Sequence, residues 1–312
     1  MYAIETEGYC AGMPIATLPA PLTDRYLHRL GVPSGAAPSL TTLRALHRAH
    51  VLRVPFENLA VQFGRPTTVD PVESAERILS GRGGYCFHLN GAFAALLETI
   101  GYQVEWRVGG IHRTDNQAGA SGDHLTLTVR CEGETWLVDV GLGQGFLEPL
   151  PLRSGSYRQG LFEYRIGPSA VQPGGWRLDV DPQLGYLGMD FRRQPASGPA
   201  DFAERHEWLS TAPTSPFMPF PCAFQPVADG QKALRGIVLV RIDPEGRHVR
   251  ELADSAEWFD VLEQDFGLTL PEVGPTERQA YWDRISAAHQ AWKAAVAQPR
   301  AESTAPAAAV SA

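Results

Sequence analysis

The stretch Arg82-Gly-Gly-Tyr-Cys-Phe-His-Leu-Asn90 places a cysteine behind two glycines, where a helix is expected to begin. A helix N-terminus presents unpaired N–H groups and a partial positive charge, which favour thiolate over thiol. The glycines allow close backbone approach, and free N–H groups there can hold a developing oxyanion. Cys86 therefore has the setting of a nucleophile. A nucleophilic cysteine needs a base, and the base needs an orienting carboxylate. His124 opens one strand and Asp139 lies near the end of the next; a turn at Glu132-Gly133 sets the two opposite each other on adjacent antiparallel strands. Other histidines fit less well. His88 stands two residues from Cys86 and faces away on a helix, and His112 lies in a Gly/Asp-rich loop. His28, His47, His50 and His289 sit on helical patterns as packing or surface residues, and Cys10, Cys131 and Cys222 read as structural.

The elements that must position these groups follow from periodicity. Leu22, Tyr26, Leu27 and Leu30 share one helical face closed by Gly31, and Leu43, Leu46, His47, His50 and Val51 repeat it after Ser39 and Thr41. Asp70-Pro71-Val72-Glu73 carries an acidic N-cap, a proline at the first helical position and a glutamate three residues on. A fourth helix is predicted from Cys86 to Ile100. Beyond Tyr102 the period changes to two, in Val104/Trp106/Val108, in Leu125/Leu127/Val129 and in the strands near 135–140, 162–166 and 176–180. A short helix over 201–209 precedes a proline-dense crossing, 213–221. A hairpin (237–242 with 248–252) and two helices then finish the fold.

The expected class is α+β. A helical bundle over 1–100 carries the nucleophile, an antiparallel β-barrel over 101–205 carries His124 and Asp139, an α/β lid spans 206–297, and 298–312 form a disordered tail.

Composition narrows the function. At 312 residues, 44% hydrophobic and 20% charged, the chain can build two or three domain-sized cores. A net charge of −8 argues against nucleic acid or an anionic membrane as the main partner. Four separated cysteines with no C-x-x-C form neither a disulfide framework nor a zinc site. With no charged n-region before Arg25 and no run of about 20 apolar residues, a cytoplasmic protein is expected.

Pro55-Phe-Glu-Asn58, Arg82-Gly-Gly-Tyr-Cys-Phe87, His124, Trp136-Leu-Val-Asp-Val-Gly141 and Ser215-Pro-Phe217 follow in the order and spacing of arylamine N-acetyltransferases. The chain resembles that family over about residues 20–297. The resemblance implies a helical bundle, β-barrel and α/β lid related to cysteine proteases and transglutaminases, with Cys86, His124 and Asp139 as a catalytic triad. It implies that Phe87 and Phe217 line the acyl-acceptor pocket, and that Arg82 and Glu57 belong to a buried polar framework behind the cysteine. It further implies ping-pong transfer of acetyl from acetyl-CoA to an arylamine or hydrazine, with no metal and no tightly bound cofactor. The sequence departs from the family pattern at His88, where glutamate is usual, at Leu142, and in the apolar run Met218–Phe224. That run suits a bulkier donor, so an amide synthase taking a polyketide thioester from an acyl carrier protein is the alternative. A silent homologue that binds an aromatic ligand is a third reading.

Overall fold

The computed structural model describes residues 16–297. Cys10 and the tail expected over 298–312 lie outside these residues. The N-terminal part is helical: α1 (Ala20–Leu30), α2 (Leu40–Arg53), the single turn α3 (Leu59–Gln62), α4 (Pro71–Leu79) and α5 (Cys86–Ile100), with a two-residue strand β1 (Phe56–Glu57) between α2 and α3. The caps are those the local sequence supplies. Ser39 Oγ accepts from the Thr42 N–H, and Asp70 Oδ1 accepts from the Val72 and Glu73 N–H groups. Helix α5 is buried on every side from Cys86 to Leu97, so one small-residue face is not required; Ala92, Ala94 and Ala95 let α4 and the barrel approach it from different directions.

The barrel comprises β2 (Gln103–His112), β3 (His124–Cys131), β4 (Glu134–Val138), β5 (Leu150–Pro151), β6 (Gly155–Gln159), β7 (Phe162–Pro168), β8 (Trp176–Val180) and β9 (Gly188–Pro195). Its strands run antiparallel in the order β5-β4-β3-β2-β9-β8-β7-β6, an eight-stranded and nearly closed barrel. The period-two reading holds along β7, where Phe162, Tyr164 and Ile166 are buried between exposed Glu163 and Arg165.

The β3–β4 register differs from the expected one. Glu132 (φ 53°) and Gly133 (φ 81°) form a two-residue turn with both residues left-handed, and Cys131 pairs with Glu134. Leu127 therefore faces Val138, and continuing that ladder would set Asp139 against Thr126. His124 and Asp139 are diagonal neighbours instead of direct partners. Because side chains alternate with period two, the slip of two leaves both on the same face.

The C-terminal part holds α6 (Ala203–Thr211), the strands β10 (Cys222–Val227), β11 (Gly230–Arg235), β12 (Val238–Asp243) and β13 (Gly246–Glu251), and the helices α7 (Ser255–Phe266) and α8 (Pro275–Ala297). Its sheet has the order β1-β10-β11-β12-β13, so residues of the N-terminal part form one edge of it. The segment between α6 and β10 has no regular structure, in keeping with its prolines. Among the described residues, no helix is long and apolar enough to cross a membrane.

Candidate active site

The loop before Cys86 is held from behind by a buried carboxylate. Glu57 has no exposed side-chain surface; Arg77 Nη2 donates to its Oε1 at 3.1 Å, and the Arg82 guanidinium lies 3.6 Å from the same oxygen. Burial pushes the Glu57 carboxyl up, yet Arg77 and Arg82 together bring it below the usual carboxylate range. Arg77 also donates from Nε to the Gly83 carbonyl at 3.0 Å, and the Glu57 N–H donates to the Gly84 carbonyl at 2.9 Å. At Gly83 a Cβ would fall 2.0 Å from the Pro55 carbonyl oxygen, so only glycine permits this approach. The Gly-Gly pair therefore serves to press the loop onto Pro55 and Glu57.

Cys86 is the first residue of α5 and 2% exposed. His124 Nε2 and Asp139 Oδ2 are 2.7 Å apart, both buried. Burial lowers the His124 imidazole, but Asp139 and then Cys86, by charge and hydrogen bond, raise it to about 10. Asp139 bonds Nε2, which leaves Nδ1 for the sulfur. Burial raises the Asp139 carboxyl, and His124, Asn90 and Thr126 outweigh it and hold it low. The fold brings together the three groups singled out in the sequence.

Two further residues fix the carboxylate, and the sequence reading did not give them that part. Asn90 donates from Nδ2 to Asp139 Oδ1 (2.8 Å) and to the Leu125 carbonyl (2.6 Å), while its Oδ1 accepts from the Val140 N–H (2.9 Å). It lies one helical turn after Cys86 on the same face, a spacing visible in the sequence. His47, read as a packing residue, accepts the Asp139 N–H at Nε2 (3.3 Å) and donates from Nδ1 to the Leu147 carbonyl (2.9 Å). Burial brings it down to about 4, so it is neutral, with the tautomer those two bonds require. Gly141 closes the arrangement: a Cβ there would lie 2.7 Å from Cys86 Cα and 2.6 Å from Asn90 Nδ2.

His88 has structural work. Its Nδ1 accepts the Tyr85 N–H (3.3 Å), its Nε2 donates to Thr67 Oγ1 (3.1 Å), and burial keeps it neutral. Where a glutamate would accept the same N–H, this imidazole replaces it as the cap of α5. Tyr85 Oη in turn donates to His206 Nδ1 at 2.5 Å, tying the residue before the nucleophile to α6.

Cys86 and His124 line a cavity of about 330 Å³. One wall is aromatic, with Phe56 stacked on Phe224 (5.6 Å between centroids) and Phe217 set edge-on to Phe56 (6.3 Å). Phe217 lines the cavity; Phe87 does not. Phe87 is 1% exposed and packs in the core against Tyr85 and Phe202. On α5 it follows Cys86 by one residue, about 100° round the helix, which sets its ring against Tyr85 and Phe202. Cys222 also borders the cavity, its thiol pushed up to about 12 by burial, which keeps it protonated.

The arrangement sets a cysteine sulfur and an imidazole held by a carboxylate at the edge of a cavity with an aromatic wall. A family model described as N-acetyltransferase matches residues 39–273. The chain is similar to the arylamine N-acetyltransferase of Escherichia coli (strain K12), at 30% identity over 262 residues, covering 81% of this chain and 91% of that protein. It is also similar to the proansamycin X synthase of Amycolatopsis mediterranei, at 30% identity over 148 residues, covering 46% of this chain and 57% of that one. Among solved structures, the arylamine N-acetyltransferase of Mycobacterium marinum in complex with CoA superposes with a TM-score of 0.76 at 27% identity, covering 84% of this chain and 99% of that chain.

Proposed function

This chain belongs to the arylamine N-acetyltransferase family of acyltransferases, and from that premise we propose that it carries acetyl from acetyl-CoA to the nitrogen of an arylamine or hydrazine through a thioester on Cys86. One observation carries the reading: Cys86 and His124 border the same cavity, and His124 is held by Asp139 at 2.7 Å. His124 Nδ1 takes the Cys86 proton, giving a thiolate–imidazolium pair that the buried carboxylate stabilises. The thiolate attacks the thioester carbonyl, the C–S bond to coenzyme A breaks, and the imidazolium proton leaves with the departing thiol. The amine then attacks the Cys86 thioester; His124 takes its proton and returns it to sulfur as the C–S bond breaks. The first N–H groups of α5, which the helix itself cannot satisfy, are the donors available to the oxyanion of each step. Acetyl-CoA is a substrate in this scheme, and no resident cofactor takes part.

The intact mass of the protein after mixing with acetyl-CoA, without amine, tests the reading, with Cys86→Ala as control. Gain of one acetyl group by the wild type alone is expected. No gain, with the Cys86 thiol still titratable, would shift the reading to a larger carrier-bound donor. That is the amide-synthase reading, which the apolar wall of Pro216, Pro219 and Phe220 would suit.

A further inference from the structure

Thr67 lies between α3 and α4, in neither helix, yet it holds two buried histidines at once. The His88 Nε2–H donates to its Oγ1 at 3.1 Å, and the His206 Nε2–H donates to its carbonyl at 2.7 Å. The other nitrogen of each ring turns to Tyr85. His88 Nδ1 accepts the Tyr85 backbone N–H at 3.3 Å, and His206 Nδ1 accepts the Tyr85 hydroxyl at 2.5 Å. These bonds close a circuit, and for neutral imidazoles the circuit allows one assignment of hydrogens. A backbone N–H can only donate, so His88 Nδ1 carries none; a carbonyl can only accept, so His206 Nε2 carries one. Burial, Arg77 and His206 all weigh against a second proton on His88. Tyr85 and His88 are 1% exposed and His206 is 7% exposed, so a bond lost here is poorly replaced by water.

Tyr85 is where this circuit meets the site. It directly precedes Cys86, and its carbonyl accepts the His88 and Leu89 N–H groups in the first turn of α5. Its ring centroid lies 4.9 Å from that of Phe217 in the cavity wall. His88 is pressed against the same backbone: a Cβ at Gly84 would fall 2.8 Å from its Nδ1. Resting on the acetyl-transfer reading above, we propose that Thr67 is a positioning residue for the reaction: by fixing the tautomers of His88 and His206 it sets Tyr85, and with it Cys86 at the head of α5. Thr67 itself does not line the cavity, so it acts through the two rings. Without its hydroxyl, the neutral His88 ring can carry its hydrogen on Nδ1 in place of Nε2. Nδ1 then no longer accepts the Tyr85 N–H, which is left buried and unpaired just ahead of the nucleophile.

The test compares Thr67→Val, which keeps the shape and the carbonyl but removes the hydroxyl, with Thr67→Ser, which keeps the hydroxyl. It uses the full-length protein with acetyl-CoA and no amine, and reads acetylation of Cys86 by rapid quench and intact mass. In Thr67→Val the rate at saturating acetyl-CoA should fall about fivefold, the scale of one hydrogen bond, with the half-saturating concentration unchanged. Thr67→Ser should stay within about twofold of the wild type. Adding Thr67→Val to His88→Leu should cost nothing further, because the hydroxyl acts through that ring. Alkylation of Cys86 by iodoacetamide, which needs no acetyl donor, should slow in Thr67→Val by a similar factor. A Thr67→Val rate within about twofold of the wild type overturns the proposal. So does a loss that Thr67→Ser shares, that shows in the half-saturating concentration alone, or that adds in full to His88→Leu; the residue would then serve packing or the donor. A wild type that acetyl-CoA does not acetylate removes the acetyl-transfer reading, and the iodoacetamide rates still decide the part played by Thr67.

Discussion

His124 is buried, and burial lowers its imidazole; Asp139 and Cys86 reverse that and raise it to about 10. A group raised on folding adds stability that is fully present below its ordinary value and is lost as pH rises through the folded one, here between about 6.5 and 10. The imidazolium needed to protonate the leaving thiol should thus persist until about pH 10. Asp139→Asn removes the larger of the two supports, so the alkaline limb of Cys86 acylation should move down by at least about one unit, and the rate near pH 7.5 should fall roughly 10²-fold or more. Rapid-quench acylation across pH reads both, and an unmoved limb would separate Asp139 from the imidazole's basicity. Gly141→Ala tests the packing behind the same groups. Its Cβ would meet Cys86 Cα and Asn90 Nδ2 inside 3.0 Å, so the acylation rate should drop at least about tenfold, a misplacement effect. Thermal melting would show whether the fold survives. Cys86, His124 and Asp139 were legible in the sequence because each is marked locally, by a Gly-Gly helix start, a strand start and a turn. Asn90 and His47 were not, because their importance lies in contacts with Asp139 that join α5 and α2 to β4.

The same distinction holds for whole elements. The starts of α2 and α4 could be read because Ser39 and Asp70 act on N–H groups two or three residues away. The α4 cap also matters at a distance, since this helix delivers Arg77 to Gly83 and Glu57. Asp70→Ala should cost about 1 kcal/mol in urea unfolding. The acylation rate should stay within about twofold, because the rest of α4 is pinned by Pro71, Ala75 and Ile78 in the core. A larger loss of rate than of stability would mean that fraying of α4 reaches the nucleophile. β10 and β11 escaped the sequence reading for the opposite reason. β10 is buried from Cys222 to Pro226, with α2 and α7 both packed against it, so no polar face alternates with an apolar one. The proline at 226 disguises it further; as Pro226 pairs with Gln231 near the strand's end, the missing N–H is tolerated there. The β3–β4 register was readable only to within two residues, because the turn's two left-handed positions, Glu132 and Gly133, set it.

Across the whole molecule, Glu57 is where the parts converge. Its backbone adds β1 to the β10 edge of the C-terminal sheet and bonds the Gly84 carbonyl; its side chain meets Arg77 from α4 and Arg82 from the loop before Cys86. Arg82 then reaches Glu272 ahead of α8, so one buried charge links the helices, the nucleophile's loop and the C-terminal part. Because its carboxyl is lowered on folding, Glu57 contributes stability above its ordinary value of about 4.3 and loses it as pH falls through the lower folded value. Arg77→Met removes the stronger partner and lets burial raise the carboxyl. Near pH 7 the variant must then keep a poorly compensated buried charge, and it should be less stable than the wild type by about 3 kcal/mol or more. As pH falls toward about 4.5, Glu57 can take up a proton in the variant while the wild type still holds it ionised, so the gap between the two should narrow. Urea unfolding of both proteins at several pH values reads this directly. A gap that stays constant from about pH 7 to pH 4.5 would assign the contribution of Arg77 to packing and to its bond with Gly83, and would remove Glu57 as the electrostatic centre of the fold.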